Sequence, residues 1–172
     1  QWSEERGTNI LDTGAPWYDV YETQDGKYVS IGAIEEKFYA ELLARLGLEG
    51  LPDQHDRRRW PELRQAMREA FLQKTRDEWC AAFDGSDACF APVLSFSEAT
   101  RHPHARARRA YVEAAGVAQP APAPRFSRTP GAIRRAPPER GGGGAQALAD
   151  WGFGKEELGR LGSLGLGYRE ER

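Results

Sequence analysis

The stretch from Trp17 to Ile34 limits the fold of this 172-residue chain more than any other. Trp17-Tyr18-Asp19-Val20-Tyr21-Glu22-Thr23 is dense in the aromatic and β-branched residues that suit a pleated surface. Gln24-Asp25-Gly26-Lys27 supplies an Asp-Gly turn, and Tyr28-Val29-Ser30-Ile31-Gly32-Ala33-Ile34 reads as a returning strand. Strands joined this tightly are antiparallel neighbours, and a hairpin alone is marginal in water. Other elements must therefore cover its apolar face.

Those elements follow in order. Glu36 to Leu46 places Phe38, Leu42, Leu43 and Leu46 on one helical face, with Gly47 as a stop. Trp60, Leu63, Met67, Phe71 and Leu72 repeat the spacing, with Pro61 in the first turn. Thr75-Arg76-Asp77-Glu78 has the pattern of a capping box and opens a third helix carrying Trp79, Ala82 and Phe83, which Asp84-Gly85 ends. Cys89 to Leu94 is a short apolar run suited to a strand or a buried connector, and Ser97 to Arg101 suits a helical turn. Strands first and helices after predict an α+β fold, a hairpin-based antiparallel sheet packed with helices in two layers.

Charge divides the chain further. Residues 1–100 hold 11 basic and 19 acidic groups, whereas residues 101–140 hold 9 arginines against Glu113 and Glu139 alone. Prolines 103, 120, 122, 124, 130, 137 and 138 collect in the same basic stretch, so 119–140 is expected to be extended and poor in regular structure. Gly141–Gly144 breaks the chain before a helical end. The expected organisation is a small α+β domain over 1–115, an extended strap over 116–144 and a helical tail over 145–172. No apolar run approaches the roughly 20 residues of a membrane span. Two cysteines are too few to staple such a domain, and a reduced, cytoplasmic setting is expected. Gln1 in place of an initiator Met suggests a processed chain or a cut piece.

Candidate chemistry is sparse. Glu35 stands where the second strand runs out and the first helix begins, a corner suited to presenting a side chain to a ligand. Alternatively, Glu35 or Glu36 only complements the helix dipole. His102-Pro103-His104 and His55 lack the further ligands of a zinc site and read as surface loop. Cys80 and Cys89 form no CxxC pair and read as small buried hydrophobes. Gly141–Gly144 lacks the order of a phosphate loop and reads as a hinge. The arginines of 101–109 and 125–140 have few aromatic companions, and a strap on an acidic body accounts for them better than nucleic acid does.

One pattern reaches further. Gly7-Thr8-Asn9-Ile10-Leu11-Asp12-Thr13-Gly14-Ala15-Pro16-Trp17-Tyr18, then Asp25-Gly26, Gly32-Ala33-Ile34-Glu35 and Phe38-Tyr39, resembles the C-terminal part of the α-methylacyl-CoA racemases in the family III CoA-transferase (CaiB/BaiF-like) group. Trp60-Pro61-Glu62, Lys74 to Cys80, Phe83-Asp84-Gly85-Ser86-Asp87-Ala88-Cys89, Pro92-Val93-Leu94 and His102-Pro103-His104 extend the resemblance over about residues 6–135. The tail from Ala145 to Tyr168 fits only loosely.

The resemblance implies a polypeptide about twice this length. A Rossmann-like large domain precedes a small α+β domain, the chain then returns to the large domain, and two copies interlock as a homodimer. This chain corresponds to the small domain plus the returning tail, with the large domain as a missing partner. The implied reaction inverts C2 of a 2-methyl-branched acyl-CoA: a proton is removed, an enolate forms, and a proton returns to the opposite face. The CoA thioester is the substrate; no cofactor, metal, nucleic acid or membrane is implied. The His and Asp that move the proton belong to large-domain motifs this chain lacks, so the chain alone is expected to be inactive. Glu35 is the one active-site position carried over, in a supporting role. Ala147, Leu148, Trp151, Phe153, Leu158 and Leu161 of the tail would lose the partner they dock on. A family III CoA-transferase fragment is the alternative, and a non-catalytic dimerisation or association module is the rival of another class.

Overall fold

The computed structural model describes residues 2–138, 140 and 142–165. The chain divides into two units, one through Ala99 and one from Thr100 onward.

In the first unit, β1 (Tyr18–Glu22), β2 (Tyr28–Gly32) and β3 (Phe90–Pro92) form an antiparallel sheet with β2 in the centre. The register pairs Tyr21 with Val29 and Asp19 with Ile31, and then Val29 with Pro92 and Ile31 with Phe90. Side chains alternate across the pleat, so Tyr21, Val29, Ile31 and Phe90 share the face that meets the helices. The hairpin turn is tightened by Gly26 at φ +70° and by the buried Thr23 hydroxyl, which donates to Asp25 Oδ1 at 2.7 Å.

Three helices cover that face: α1 (Glu36–Leu46), α2 (Trp60–Phe71) and α3 (Arg76–Phe83). They bury Tyr39, Leu42 and Leu46 from α1, Trp60, Leu63, Met67 and Phe71 from α2, and Trp79 and Phe83 from α3. The apolar spacing read from the sequence set those faces, except that Leu72 lies just beyond α2 and is exposed. Gly47 ends α1 in the left-handed region, as the stop signal implied. The Thr75 hydroxyl accepts from Glu78 N at 3.3 Å and Glu78 Oε2 accepts from Thr75 N at 2.8 Å, which is the expected capping box. Rings run through the core almost without a break, from Trp17 on Trp60 (5.1 Å) to Tyr21 on Phe71 (5.2 Å), Phe71 on Trp79 (5.5 Å) and Phe83 on Phe90 (4.3 Å).

The N-terminal segment is fastened by α2. Arg64 bonds the Asp19 carboxylate and donates to the carbonyls of Thr13 (2.6 Å) and Gly14 (2.9 Å). Arg76, itself buried, grips Glu98 of α4 (Phe96–Ala99) through both guanidinium ends at 2.8 and 3.1 Å, which holds the Glu98 carboxyl far below the usual range.

The second unit contains α5 (Pro103–Ala107), a hairpin of β4 (Tyr111–Ala114) and β5 (Val117–Pro120), and helices α6 (Gly144–Asp150) and α7 (Lys155–Ser163). The β4–β5 pair was not anticipated; Ala115 and Gly116, both at positive φ, form its two-residue turn. From Ala121 to Pro138 the chain has no regular element, in keeping with its prolines. Gly141 and residues 166–172, which include part of the expected hinge and tail, lie outside the described residues.

Candidate functional site

Local geometry makes a corner of Ala33-Ile34-Glu35. Ala15–Tyr18 is a turn with Pro16 at its second position, closed by Tyr18 N donating to Ala15 O at 3.0 Å. β1 therefore begins at Tyr18, and past Gly32 its pairing with β2 keeps one further bond, from Ala33 N to Trp17 O. The expected strand residues Ala33 and Ile34 lie outside β2 for this reason.

The corner is nevertheless held from every side. Gly32 N donates to Cys89 O (3.0 Å), Ala33 N to Trp17 O (3.0 Å) and Ile34 N to Gly32 O (2.9 Å). The carbonyls of Ala33 and Ile34 both accept from Gln54 Nε2, at 3.1 and 3.0 Å. Glu35 O accepts from Phe38 N (3.0 Å) and Tyr39 N (2.9 Å), which starts α1. On this fixed backbone the side chains of Ile34 and Glu35 are exposed. Glu35 occupies the N-cap with φ −76° and ψ 142°, yet its side chain makes no capping bond. Among the described residues its carboxylate has no hydrogen bond or ion pair, so local capping does not consume it.

The surroundings of the corner are mixed. Cys89 is largely exposed, at φ +51°, and partial desolvation of its thiol, followed by the Glu35 and Asp87 carboxylates, pushes it up, with Lys37 opposing. A thiol held protonated is a poor nucleophile. Cys80 is half-buried, and desolvation followed by Asp77 raises its thiol as well. Behind the corner, Trp17 Nε1, Tyr39 Oη and Gln54 Oε1 are buried without hydrogen-bond partners among the described residues. Burial pushes the Tyr39 phenol up to about 12, helped by Asp53.

The histidines fall in both units. His55 sits edge-on to Trp17 with ring centroids 6.2 Å apart, while His102 and His104 flank the start of α5 in the other unit. No group of three or more His, Cys, Asp or Glu side chains could hold a metal among the described residues. A separate groove of about 470 Å³ is lined by Thr8, Arg57, Trp60, Arg64 and Arg68 and includes no residue of the corner. Of its arginines, Arg64 is committed to Asp19 and the 13–14 backbone, and Arg57 lies over the Trp60 ring at 5.0 Å. No helix among the described residues is long and apolar enough to cross a membrane.

Two residues of the site were not legible beforehand. Gln54 sits in the polar run Asp53-Gln54-His55-Asp56, where nothing distinguishes it from linker. Cys89 opens an apolar run that suggested burial.

An α+β unit with a hydrogen-bonded strand-to-helix corner is thus the frame, and comparison with known proteins identifies its family. The model of the family described as CoA-transferase family III matches residues 2–143, and the chain belongs to that family. It is 44% identical over 161 residues to α-methylacyl-CoA racemase of Mus musculus, covering 91% of this chain and 42% of that protein. With the Homo sapiens α-methylacyl-CoA racemase the identity is 40% over 167 residues, covering 94% of this chain and 44% of that one. The chain therefore spans less than half the length of these relatives. Among solved structures, the hypothetical protein Rv3272 of Mycobacterium tuberculosis superposes with a TM-score of 0.61 at 18% identity, over 79% of this chain and 40% of that one. That likeness speaks for the fold.

Proposed function

We propose that this chain is the small-domain half of a 2-methylacyl-CoA racemase and that Glu35 is its contribution to the active site. The observation that carries the proposal is the Glu35 carboxylate, exposed and unpaired on a backbone corner bonded from three neighbouring segments. Similarity to two proteins named as racemases supports the choice of reaction.

In the proposed reaction a base removes the C2 proton of the thioester, negative charge moves to the thioester oxygen, and an acid returns a proton to the other face. A carboxylate cannot stabilise that oxygen directly, because like charges repel. Glu35 can instead accept a hydrogen bond from a protonated base or relay its proton, and a fixed backbone keeps the distance constant through both half-reactions. The resemblance places that base in large-domain motifs that this chain does not contain and matches none of His55, His102 and His104 to it. A second polypeptide segment must bring it, together with most of the acyl-CoA contacts, and an interlocked homodimer would place that segment against Glu35.

The test is exchange of the C2 proton of a 2-methylacyl-CoA in deuterated water. The 172-residue chain alone is expected to give none, and exchange by the chain alone overturns the assignment of the acid and base elsewhere. With a large domain supplied in trans, Glu35→Gln is expected to slow exchange by about tenfold to a hundredfold, within the range of a lost proton-handling group. An unchanged rate overturns the role of Glu35. Transfer of CoA to an added carboxylic acid, in place of C2 exchange, would mark a transferase.

A further inference from the structure

We infer that Gln54 is a positioning residue, a buried amide latch that sets where Glu35 stands. Gln54 lies in the loop 47–56 between α1 and α2 and is 6% exposed. An amide NH₂ carries two hydrogens, and here both go to consecutive carbonyls of the corner, Ala33 O at 3.1 Å and Ile34 O at 3.0 Å. Ala33 faces β1, its N–H bonded to Trp17 O, and its carbonyl is the acceptor left over where the Ala15–Tyr18 turn ends the ladder, while Ile34 O lies past the end of β2. A buried carbonyl without a donor is costly, so a distant loop supplies what the sheet does not.

The latch is itself anchored. Trp60 Nε1 donates to the Gln54 backbone carbonyl at 3.0 Å, the Trp60 ring packs edge-on against Trp17 at 5.1 Å, and Trp17 O accepts from Ala33 N at 3.0 Å. Contacts thus close a ring from Ala33 through Trp17, Trp60 and Gln54 back to Ala33. Displacing any member shifts the peptide that precedes Glu35. The chemistry demands this residue type: Glu would aim a carboxylate at two carbonyl oxygens, Asn is one methylene too short, and Met fills the volume without a donor.

The structural half of this inference stands on the geometry, and its functional half rests on the racemase reading. Amide exchange read residue by residue on the 172-residue chain tests the first. In Gln54→Met the Gly32, Ala33 and Ile34 amides are expected to exchange about tenfold faster while Val29 and Met67 stay within about twofold. Gln54→Glu should behave likewise at neutral pH and recover as the new carboxyl protonates and can donate to one carbonyl. Unchanged corner amides, or one common acceleration of corner and core, would overturn the latch. In the trans exchange assay Gln54→Met is expected to lower kcat about tenfold with KM within about twofold, the signature of lost alignment. A normal kcat beside a defective Glu35→Gln overturns the positioning role. Normal rates in both variants overturn the racemase reading of the corner, while the amide-exchange result stands.

Discussion

Through Ala99 the chain wraps three helices onto a three-stranded sheet around a series of touching rings, whereas from Thr100 onward none of the described side chains is buried. Local structure does not separate the two regions. Helix α7 opens with Glu157 Oε2 accepting from Gly154 N at 2.8 Å, the carboxylate half of the box that Thr75 and Glu78 complete at α3. What separates them is long-range pairing of apolar faces. Seven of the eleven prolines fall between 103 and 138, where they remove the donors a sheet would need, and the tail residue Trp151 is left 87% exposed. Capping and propensity start a helix, but burial of an amphipathic face is what holds it.

The sharpest way to break this comparison is to truncate one large apolar side chain in each region. Phe71→Ala removes a fully buried ring that stacks on Tyr21 and meets Trp79 edge-on, and is expected to cost about 3–5 kcal/mol in urea unfolding. Trp151→Ala, a change of similar chemistry, should stay within about 0.5 kcal/mol. Equal losses would mean that the tail is as well packed as the body.

Gly14 probes the seam between the N-terminal loop and the sheet. A Cβ there would lie 2.4 Å from Asn9 O and 2.5 Å from the Thr8 carbonyl carbon, both backbone atoms that cannot swing away. Gly14→Ala is expected to cost about 1–3 kcal/mol by overpacking, and Gly143→Ala, with open space around it but φ +69°, about 1 kcal/mol or less. Thermal melts of the two variants give the contrast directly.

The smallest effect concerns the polar atoms behind the corner. Tyr39→Phe deletes a buried hydroxyl without a partner among the described residues, and is expected to stabilise the first unit by about 1 kcal/mol at neutral pH. The pH dependence follows from the phenol's raised value of about 12. Below about pH 10 the phenol is neutral folded or unfolded and the native state keeps its full stability. Between about 10 and 12 the unfolded chain ionises first, so stability falls as pH rises. Tyr39→Phe should remove this share of the alkaline loss, leaving that of Tyr21, whose phenol burial also raises. A variant no more stable than the parent would show that the hydroxyl has a partner in solution.

Much of the first unit was legible because its signals are local or strictly periodic. The Asp25-Gly26 turn, the 36–46 helix with its Gly47 stop and the Thr75–Glu78 box each need only a few neighbouring residues. The apolar faces of α1 and α2 followed from the helical repeat, with Leu72 misassigned because the helix ends one residue earlier. Glu35 could be singled out as a corner residue, though not told from a dipole-capping carboxylate. That distinction depends on which groups lie within bonding distance, and spacing along the chain carries no such information. The β4–β5 hairpin was missed because Ala115-Gly116 is a weak turn signal beside so many prolines.

The amino-acid sequence by itself determined the element order, the α+β class, the faces of the helices and the contrast between a folded body and a proline-rich continuation. Tertiary structure alone decided that the second strand stops at Gly32, that Cys89 faces solvent and that Gln54 closes the corner from a loop 20 residues further on. The physical reason is the same in each case. Periodicity and turn chemistry act over one or two turns of chain, whereas an unpaired carbonyl takes whatever donor the fold brings to it.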